Sequence, residues 1–202
     1  MNDGSIKIDG LLISAGLSGR MKTFKPLLKY EDKSFLLNIA EKLSTVCDNI
    51  VVVTGFKAHE VMGEFNAVKE KRLCMKTKFV FNRNYKSGIF SSIQAGLSKC
   101  EAADWVLLHF VDQPTLPIDF YKGFVNRIDE NFDWIQPMFK MKKGHPLLLG
   151  RKTTELILSS SPEGNLKEIS HNKKLDKKFW NCDYPQIFAD IDTPEEYQSI
   201  KT

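Results

Sequence analysis

The sequence has no long apolar run. Its longest nearly unbroken stretch, Trp105–Val111, is interrupted by His109, whereas a helix needs about 20 apolar residues to cross a bilayer. A membrane-spanning helix is therefore excluded. Cysteine is sparse: Cys47, Cys74, Cys100 and Cys182 are too far apart for a Cys-x-x-Cys metal or redox motif. They are expected to be reduced and mostly buried, as free cysteines usually are. Charge of one sign is not in large excess, with 29 Lys and Arg against 25 Asp and Glu. A net +4 lacks the strong basic stripe of a nucleic-acid-binding surface. There is no internal repeat and no low-complexity segment. The first residues, Met1-Asn2-Asp3-Gly4-Ser5, carry no basic flank and no cleavage pattern, and Ile8–Ser14 is too short and mixed for a signal peptide. The expectation is a cytoplasmic protein that binds neither membrane nor nucleic acid.

What is present fits a soluble globular chain, with 42% hydrophobic and 27% charged residues. Its 202 residues suit a single domain spanning 1–202. Strand-like runs alternate with helix-like segments. Strands are expected at Asp9–Ser14, Asn49–Thr54, Lys78–Phe81, Trp105–Phe110, Trp134–Met138, Leu147–Leu149, Phe179–Asn181 and Phe188–Ile191. Helices are expected at Ser34–Leu43, His59–Val68, Ile89–Leu97, within Leu116–Asn131, at Lys152–Leu158, at Asn165–His171 and from Pro194 onward. Continuous apolar strands alternating with helices predict an α/β fold whose mainly parallel sheet is covered on both faces. In such folds ligands bind beyond the carboxyl ends of the strands. This directs attention to Ala15–Lys25, Thr54–Lys57, Asn82–Ser92, Asp112–Pro114 and Asp190–Thr193.

Charge along the chain is segregated. Residues 1–30 hold five basic and two acidic residues, residues 138–154 five basic and no acidic, and residues 183–202 five acidic and one basic. In the first loop, Ser14, Ala15, Gly16, Ser18 and Gly19 are small enough for backbone N–H groups to approach an anion. Arg20 and Lys25 add positive charge suited to phosphate. The loop lacks the Gly-Lys-Ser/Thr of Walker A and the middle glycine of the dinucleotide fingerprint. Asn82-x5-Gly88-x2-Ser91-Ser92 runs into a helix whose start presents free N–H groups. Asp112-Gln113-Pro114 places a carboxylate at a strand end, a position suited to Mg²⁺. Thr193-Pro194-Glu195-Glu196 reads as a helix start. Asp190 and Asp192, as alternating residues of a strand, would share one face.

The arrangement Ala-Gly-x-Ser-x-Arg-Met-x3-Lys over residues 15–25, followed by Pro26-Leu27-Leu28, resembles the signature of nucleotidyltransferases of the molybdenum-cofactor type, the MobA/MocA-like group. The elements at Asn82–Ser92, Asp112-Gln113-Pro114, Gly144-His145-Pro146 and Asp190–Glu196 resemble further motifs of that group in the same order. Two departures stand out. Lys22 replaces the usual glycine after Met21, and Ser161–Lys167 replaces a Gly-Asp-x-Gly-Ala-Arg element, with Lys167 in place of the arginine.

The resemblance implies a Rossmann-like, three-layer α/β/α fold of the GT-A-like type. Its nucleotide-binding half would span about 8–115 and its acceptor half about 116–202. It implies nucleotide binding by Ser14, Ala15, Gly16, Ser18, Gly19, Arg20, Lys25, Asn82, Gly88 and Ser92, with Arg20, Lys25 and Asp112 catalytic. Asp112 with Asp192 or Asp190 would hold Mg²⁺ or Mn²⁺, and Gly144, His145 and Lys167 would meet the acceptor. The implied reaction transfers a nucleoside monophosphate to the phosphate of a molybdopterin-type acceptor and releases pyrophosphate. Ala15 stands where the cytidylyl-transferring subgroup tends to carry alanine, which favours CTP over GTP. A molybdoenzyme or its maturation factor is the implied protein partner. Guanylyl transfer, transfer to a sugar phosphate or other phosphorylated alcohol, and a non-catalytic nucleotide-binding cofactor chaperone are the alternatives.

Overall fold

The computed structural model describes residues 5–21, 23–66, 68 and 70–201. Lys22 lies outside the described residues. The elements run β1 (Ile8–Ser14), β2 (Lys29–Tyr30), β3 (Lys33–Ser34), α1 (Phe35–Ser44), β4 (Asn49–Thr54), α2 (Ala58–Asn66), α3 (Lys71–Lys76), β5 (Thr77–Phe81), α4 (Ile89–Leu97), β6 (Trp105–Phe110) and α5 (Ile118–Val125). They continue with β7 (Trp134–Phe139), β8 (Lys142–Lys143), β9 (Leu147–Gly150), α6 (Arg151–Ser159), α7 (Leu166–His171), β10 (Lys177–Asn181) and α8 (Pro194–Ser199).

One sheet carries the order β10-β7-β9-β6-β1-β4-β5, with β8 paired to β7. The β1–β4, β1–β6, β4–β5 and β7–β10 pairs are parallel. β9 is antiparallel to both β6 and β7. The sheet is therefore mostly parallel, with one reversed strand near its middle. Side chains alternate between its faces. Leu12, Val52, Leu107 and Leu148 point to the layer holding Leu36, Ile39 and Leu43 of α1 and Phe120 and Phe124 of α5. Leu11, Val51, Val53, Val106 and Leu108 point to the layer holding Phe90 and Ile93 of α4, Ile157 of α6 and Ile169 of α7. The fold is the α/β/α arrangement expected from the alternation.

Local chemistry sets the element ends. The Ser34 hydroxyl accepts from Leu37 N and starts α1, a common N-cap role. Gly96 lets α4 settle on the sheet, because a Cβ there would lie 2.3 Å from Leu11 Cδ1. That close approach fixes where the start of α4 falls at the carboxyl edge. β1 has β4 on one side and β6 on the other, so the chain leaves it at the switch point of the strand order, where a crevice opens.

One expected strand is absent. Residues 188–191 form no ladder: Pro185–Phe188 is a 3-10 turn, and the following segment is irregular. Ile191 is buried, with Met21, Leu28 and Phe35, by loop packing. Its N–H donates to Asp112 O at 2.9 Å instead of to a neighbouring strand. The segment's apolarity reflects burial under loops. The short helix α3 and the hairpins β2–β3 and β7–β8 were not expected.

Among the described residues, no helix is long and apolar enough to cross a membrane. Cys47, Cys100 and Cys182 are buried and unpaired, and Cys74 is exposed.

Candidate active site

A cavity of about 290 Å³ opens at the carboxyl ends of β1 and β6, bounded by Gly16, Ser18, Lys25, Gly88, Ser92 and Asp112. A larger, more open hollow of about 820 Å³ lies at the opposite edge of the sheet, beside Lys7, Trp105 and Asp133. Two of its three lining cations are already paired, Arg151 with Asp104 and Lys152 with Asp133. None of the residues picked out in the sequence line it. The smaller cavity, which several of those residues do line, is the candidate site.

The first loop is shaped by Ser18. Its φ is 54°, and its hydroxyl accepts from Lys25 N at 3.0 Å. Met21 N donates to Ser18 O at 3.2 Å, and the Met21 side chain is buried with Phe35 and Ile191. The loop is thus pinned at both ends of residues 18–25. No other atom lies within 4 Å of where a Cβ of Gly16 or Gly19 would be, so this stretch of backbone is open to a ligand.

The basic loop meets the acidic C-terminal segment directly. Lys25, with its side chain 11% exposed, pairs with Asp192 and lies 3.8 Å from Asp112 Oδ2. Arg20 pairs with the other oxygen of Asp192, while most of its side chain stays in solvent. The Asp192 backbone is fixed by a capping box: Glu196 accepts from Asp192 N at 2.7 Å and from Thr193 N at 2.9 Å, and Thr193 Oγ1 accepts from Glu196 N. Two of the three charge-segregated segments, the basic first loop and the acidic C-terminal one, therefore meet in space.

Burial pushes the Asp112 carboxyl up to about 6; Lys25 opposes this, and the nearby Asp190 and Asp192 reinforce it. A carboxylate raised by burial and lying in a cleft is a common mark of a functional site. Gln113 ties the turn to the C-terminal segment, its amide donating to Asp190 Oδ1 and, at 3.4 Å, to Ile187 O. Asp190 is thereby turned to Gln113, and the shared strand face expected for Asp190 and Asp192 is not formed. Among the described residues no three or more His, Cys, Asp or Glu side chains form a metal-ready group. Asp112 and Asp192, both beside Lys25, remain as a pair of hard oxygen donors. They fit a cation such as Mg²⁺, which takes one or two carboxylates and completes its shell with phosphate oxygens and water.

Gly88 precedes α4 at φ 111° and ψ 169°, a conformation essentially restricted to glycine. With it the first turn of α4 faces the cavity. Asn82 does not: it is buried, its amide donates to Ser91 Oγ at 3.0 Å and Ser92 Oγ at 2.9 Å, and its carbonyl accepts from Asn84 N. It holds the 82–92 segment in shape. Ser14 and Ala15 are also buried. Ala15 packs in the core and its carbonyl accepts from Phe56 N, so its methyl group does not line the cavity. Tyr85, Lys86, Ile89 and Phe110 line it without having been singled out. Phe110 stands two residues before Asp112 on a buried strand, but nothing in its type distinguishes it from core residues.

A second cavity of about 300 Å³ contains His145 and Lys167. The His145 ring meets Phe110 edge-on at 5.1 Å between centroids, so the two rings form the wall between the cavities. Burial draws the His145 imidazole below its usual range, against the pull of Asp190. Gly144 packs under Ile187, where a Cβ would lie 2.6 Å from Ile187 Cγ1. It supports this wall without lining either cavity.

The model of the MobA-like NTP transferase domain matches residues 10–177. The chain belongs to this family. Among curated proteins, the MobA-like chain is 24% identical over 194 residues to the molybdenum cofactor cytidylyltransferase of Escherichia coli, covering 96% of this chain and 95% of that one. It is 23% identical to the nicotine blue oxidoreductase of Paenarthrobacter nicotinovorans, over 94% of each chain. It is 22% identical to a probable molybdenum cofactor guanylyltransferase of Bacillus cytotoxicus, over 96% of each. A solved nucleotidyl transferase from Methanothermobacter thermautotroptrophicus superposes with a TM-score of 0.81 at 18% identity, over 97% of this chain and 96% of that one. A Mycobacterium tuberculosis protein solved in complex with manganese gives 0.75 at 17%, over 96% and 97%. These structural matches extend the MobA-like fold to nearly the whole chain.

Proposed function

We propose that this MobA-like enzyme transfers CMP from CTP to the phosphate of a molybdopterin-type acceptor. The reading rests foremost on one observation: Arg20 and Lys25 of the glycine-containing loop converge with Asp112 and Asp192 beside a cavity at the strand switch point. That pairing of a phosphate-binding loop with two carboxylates serves a triphosphate and the cation that accompanies it. The MobA-like family and its cytidylyl- and guanylyltransferase relatives support nucleotidyl transfer to a molybdopterin-type acceptor, and the choice of CTP follows the similarity to the cytidylyltransferase.

An oxygen of the acceptor phosphate attacks the α-phosphorus in line. A new P–O bond forms, the bond to the β-phosphate oxygen breaks, and its electron pair leaves with pyrophosphate. The protein needs no covalent bond to substrate and works by position and charge. The open backbone at Gly16–Gly19 and the start of α4 receive the nucleotide. Arg20 and Lys25 hold the β- and γ-phosphates, exchanging their carboxylate partner for the ligand. A divalent cation on Asp112 and Asp192, Mg²⁺ or Mn²⁺, would neutralise phosphate charge as the bond order shifts. Asn82 and Gln113 act through others: Asn82 sets the 82–92 segment, and Gln113 sets the relation of Asp112 to residues 187–190. His145 and Lys167 face the acceptor side. The reaction belongs in the cytoplasm, where nucleoside triphosphates are made, with a molybdoenzyme or its maturation factor as recipient.

Asp112→Ala and Lys25→Ala should each abolish formation of the molybdopterin dinucleotide, read by mass spectrometry, while circular dichroism shows Asp112→Ala folded. Folded Asp112→Ala protein with near-native turnover would overturn the assignment.

A further inference from the structure

Three lysines, Lys143, Lys167 and Lys177, and two imidazoles, His145 and His171, line the second cavity, and no carboxylate does. Several surface cations elsewhere have a carboxylate partner, among them Lys152 with Asp133, Lys178 with Asp129 and Lys122 with Asp119. The contrast is sharpest on β10, where Lys178 has its aspartate and the preceding residue, Lys177, pointing to the other face, has none among the described residues. Two of the three ammonium groups are also held in place. Lys177 donates to Asn172 O at 2.5 Å, and Lys143 lies over the Phe179 ring at 4.1 Å from its centroid. Neither contact neutralises charge. Lys143 and Lys167 are exposed and Lys177 half-buried, so the cavity presents three cations and no carboxylate to whatever enters it, a lining that favours an anion.

The position of this cavity decides what kind of anion it suits. It is separated from the nucleotide cavity by the contact between His145 and Phe110. A phosphate seated among Lys143, Lys167 and Lys177 lies behind that wall, away from Asp112, and is not the group that attacks the α-phosphorus. We infer that the acceptor carries a second anionic group, at the end remote from its reacting phosphate, and that this cavity binds it. The inference rests on the transferase reading for its description as an acceptor site. The anion site itself stands on the cavity alone.

Inorganic phosphate is the probe. The full-length protein, with ring-labelled histidines assigned by single His→Gln variants, is saturated with magnesium and a non-hydrolysable CTP analogue, then titrated with phosphate. The expected result is saturable movement of the His145 and His171 ring signals, with those of His59 and His109 unmoved. In the Lys143→Ser/Lys177→Ser double variant phosphate affinity should fall at least tenfold, with affinity for the CTP analogue kept as evidence of intact folding. Absence of the His145 and His171 shifts, or shifts that persist in the double variant, would overturn the inference. Failure of the CTP analogue to bind would instead overturn the transferase reading, and the phosphate titration would still decide the anion site. In the transfer assay with molybdopterin, phosphate should raise the KM for acceptor and leave kcat unchanged. A change in kcat alone would assign the cavity to a free regulatory anion and refute its acceptor role.

Discussion

Replacing Asp112 with asparagine should make the ligand-free protein more stable and catalytically dead. Burial and the neighbouring Asp190 and Asp192 raise the Asp112 carboxyl from 3.8 to about 6, even with Lys25 beside it. At about 1.4 kcal/mol per tenfold change, keeping this group ionised costs the native state about 3 kcal/mol. The sign follows from linkage: a pKa raised on folding gives stability that is fully present below about 3.8 and lost as pH rises through about 6. Asparagine imitates the protonated form at every pH. Its advantage over the native protein should therefore be about 3 kcal/mol at pH 7.5 and well under 1 kcal/mol at pH 4. In a chain of this size that is about 6–12 °C in Tm at the higher pH. The assay is thermal unfolding of both proteins at several pH values, without nucleotide or divalent ions. A variant that is no more stable at pH 7.5, or whose gain does not shrink on acidification, would refute this account of the carboxylate.

Gly88→Ala should lower stability by about 1–3 kcal/mol, because φ 111° with ψ 169° is essentially confined to glycine. It should also weaken nucleotide binding, both measured by unfolding with and without CTP. Gln113→Leu removes the donor that holds Asp190 and Ile187 O. Its kcat should fall at least tenfold with little change in nucleotide affinity, which separates a positioning role from direct contact. Thr193→Ala breaks the capping box of α8 at a cost of about 1 kcal/mol, and the loosened Asp192 should raise the metal concentration needed for half-maximal activity.

Much of the MobA-like fold is legible in the sequence because buried parallel strands read as continuous apolar runs, as at Ile50–Val53 and Trp105–Phe110. The start of α1 is legible because Ser34 is a recognisable cap. The hairpins are not legible. The β2–β3 turn places Glu31 and Asp32 at φ 50° and 64°, and the β7–β8 turn places Lys140 and Met141 at 47° and 64°. Tight two-residue turns with both φ positive usually advertise themselves with Asn-Gly or Gly, and neither turn does. Residues 188–191 misled for a different reason: Ile191 is buried by packing on the first loop, a long-range contact that periodicity does not register. In the site, the small residues and the two cations of the first loop are legible as a phosphate cradle, but the segregated charge does not specify that Arg20 and Lys25 meet Asp192. The inward turn of Asn82, the diversion of Asp190 to Gln113 and the wall formed by Phe110 and His145 depend on packing between distant segments. They leave no local mark.

The central claim is most directly tested by pyrophosphate release with magnesium across CTP, GTP, ATP and UTP, each with and without molybdopterin. The account predicts release that requires the acceptor and is fastest with CTP. Pyrophosphate release from none of the four nucleotides in the presence of molybdopterin would contradict it.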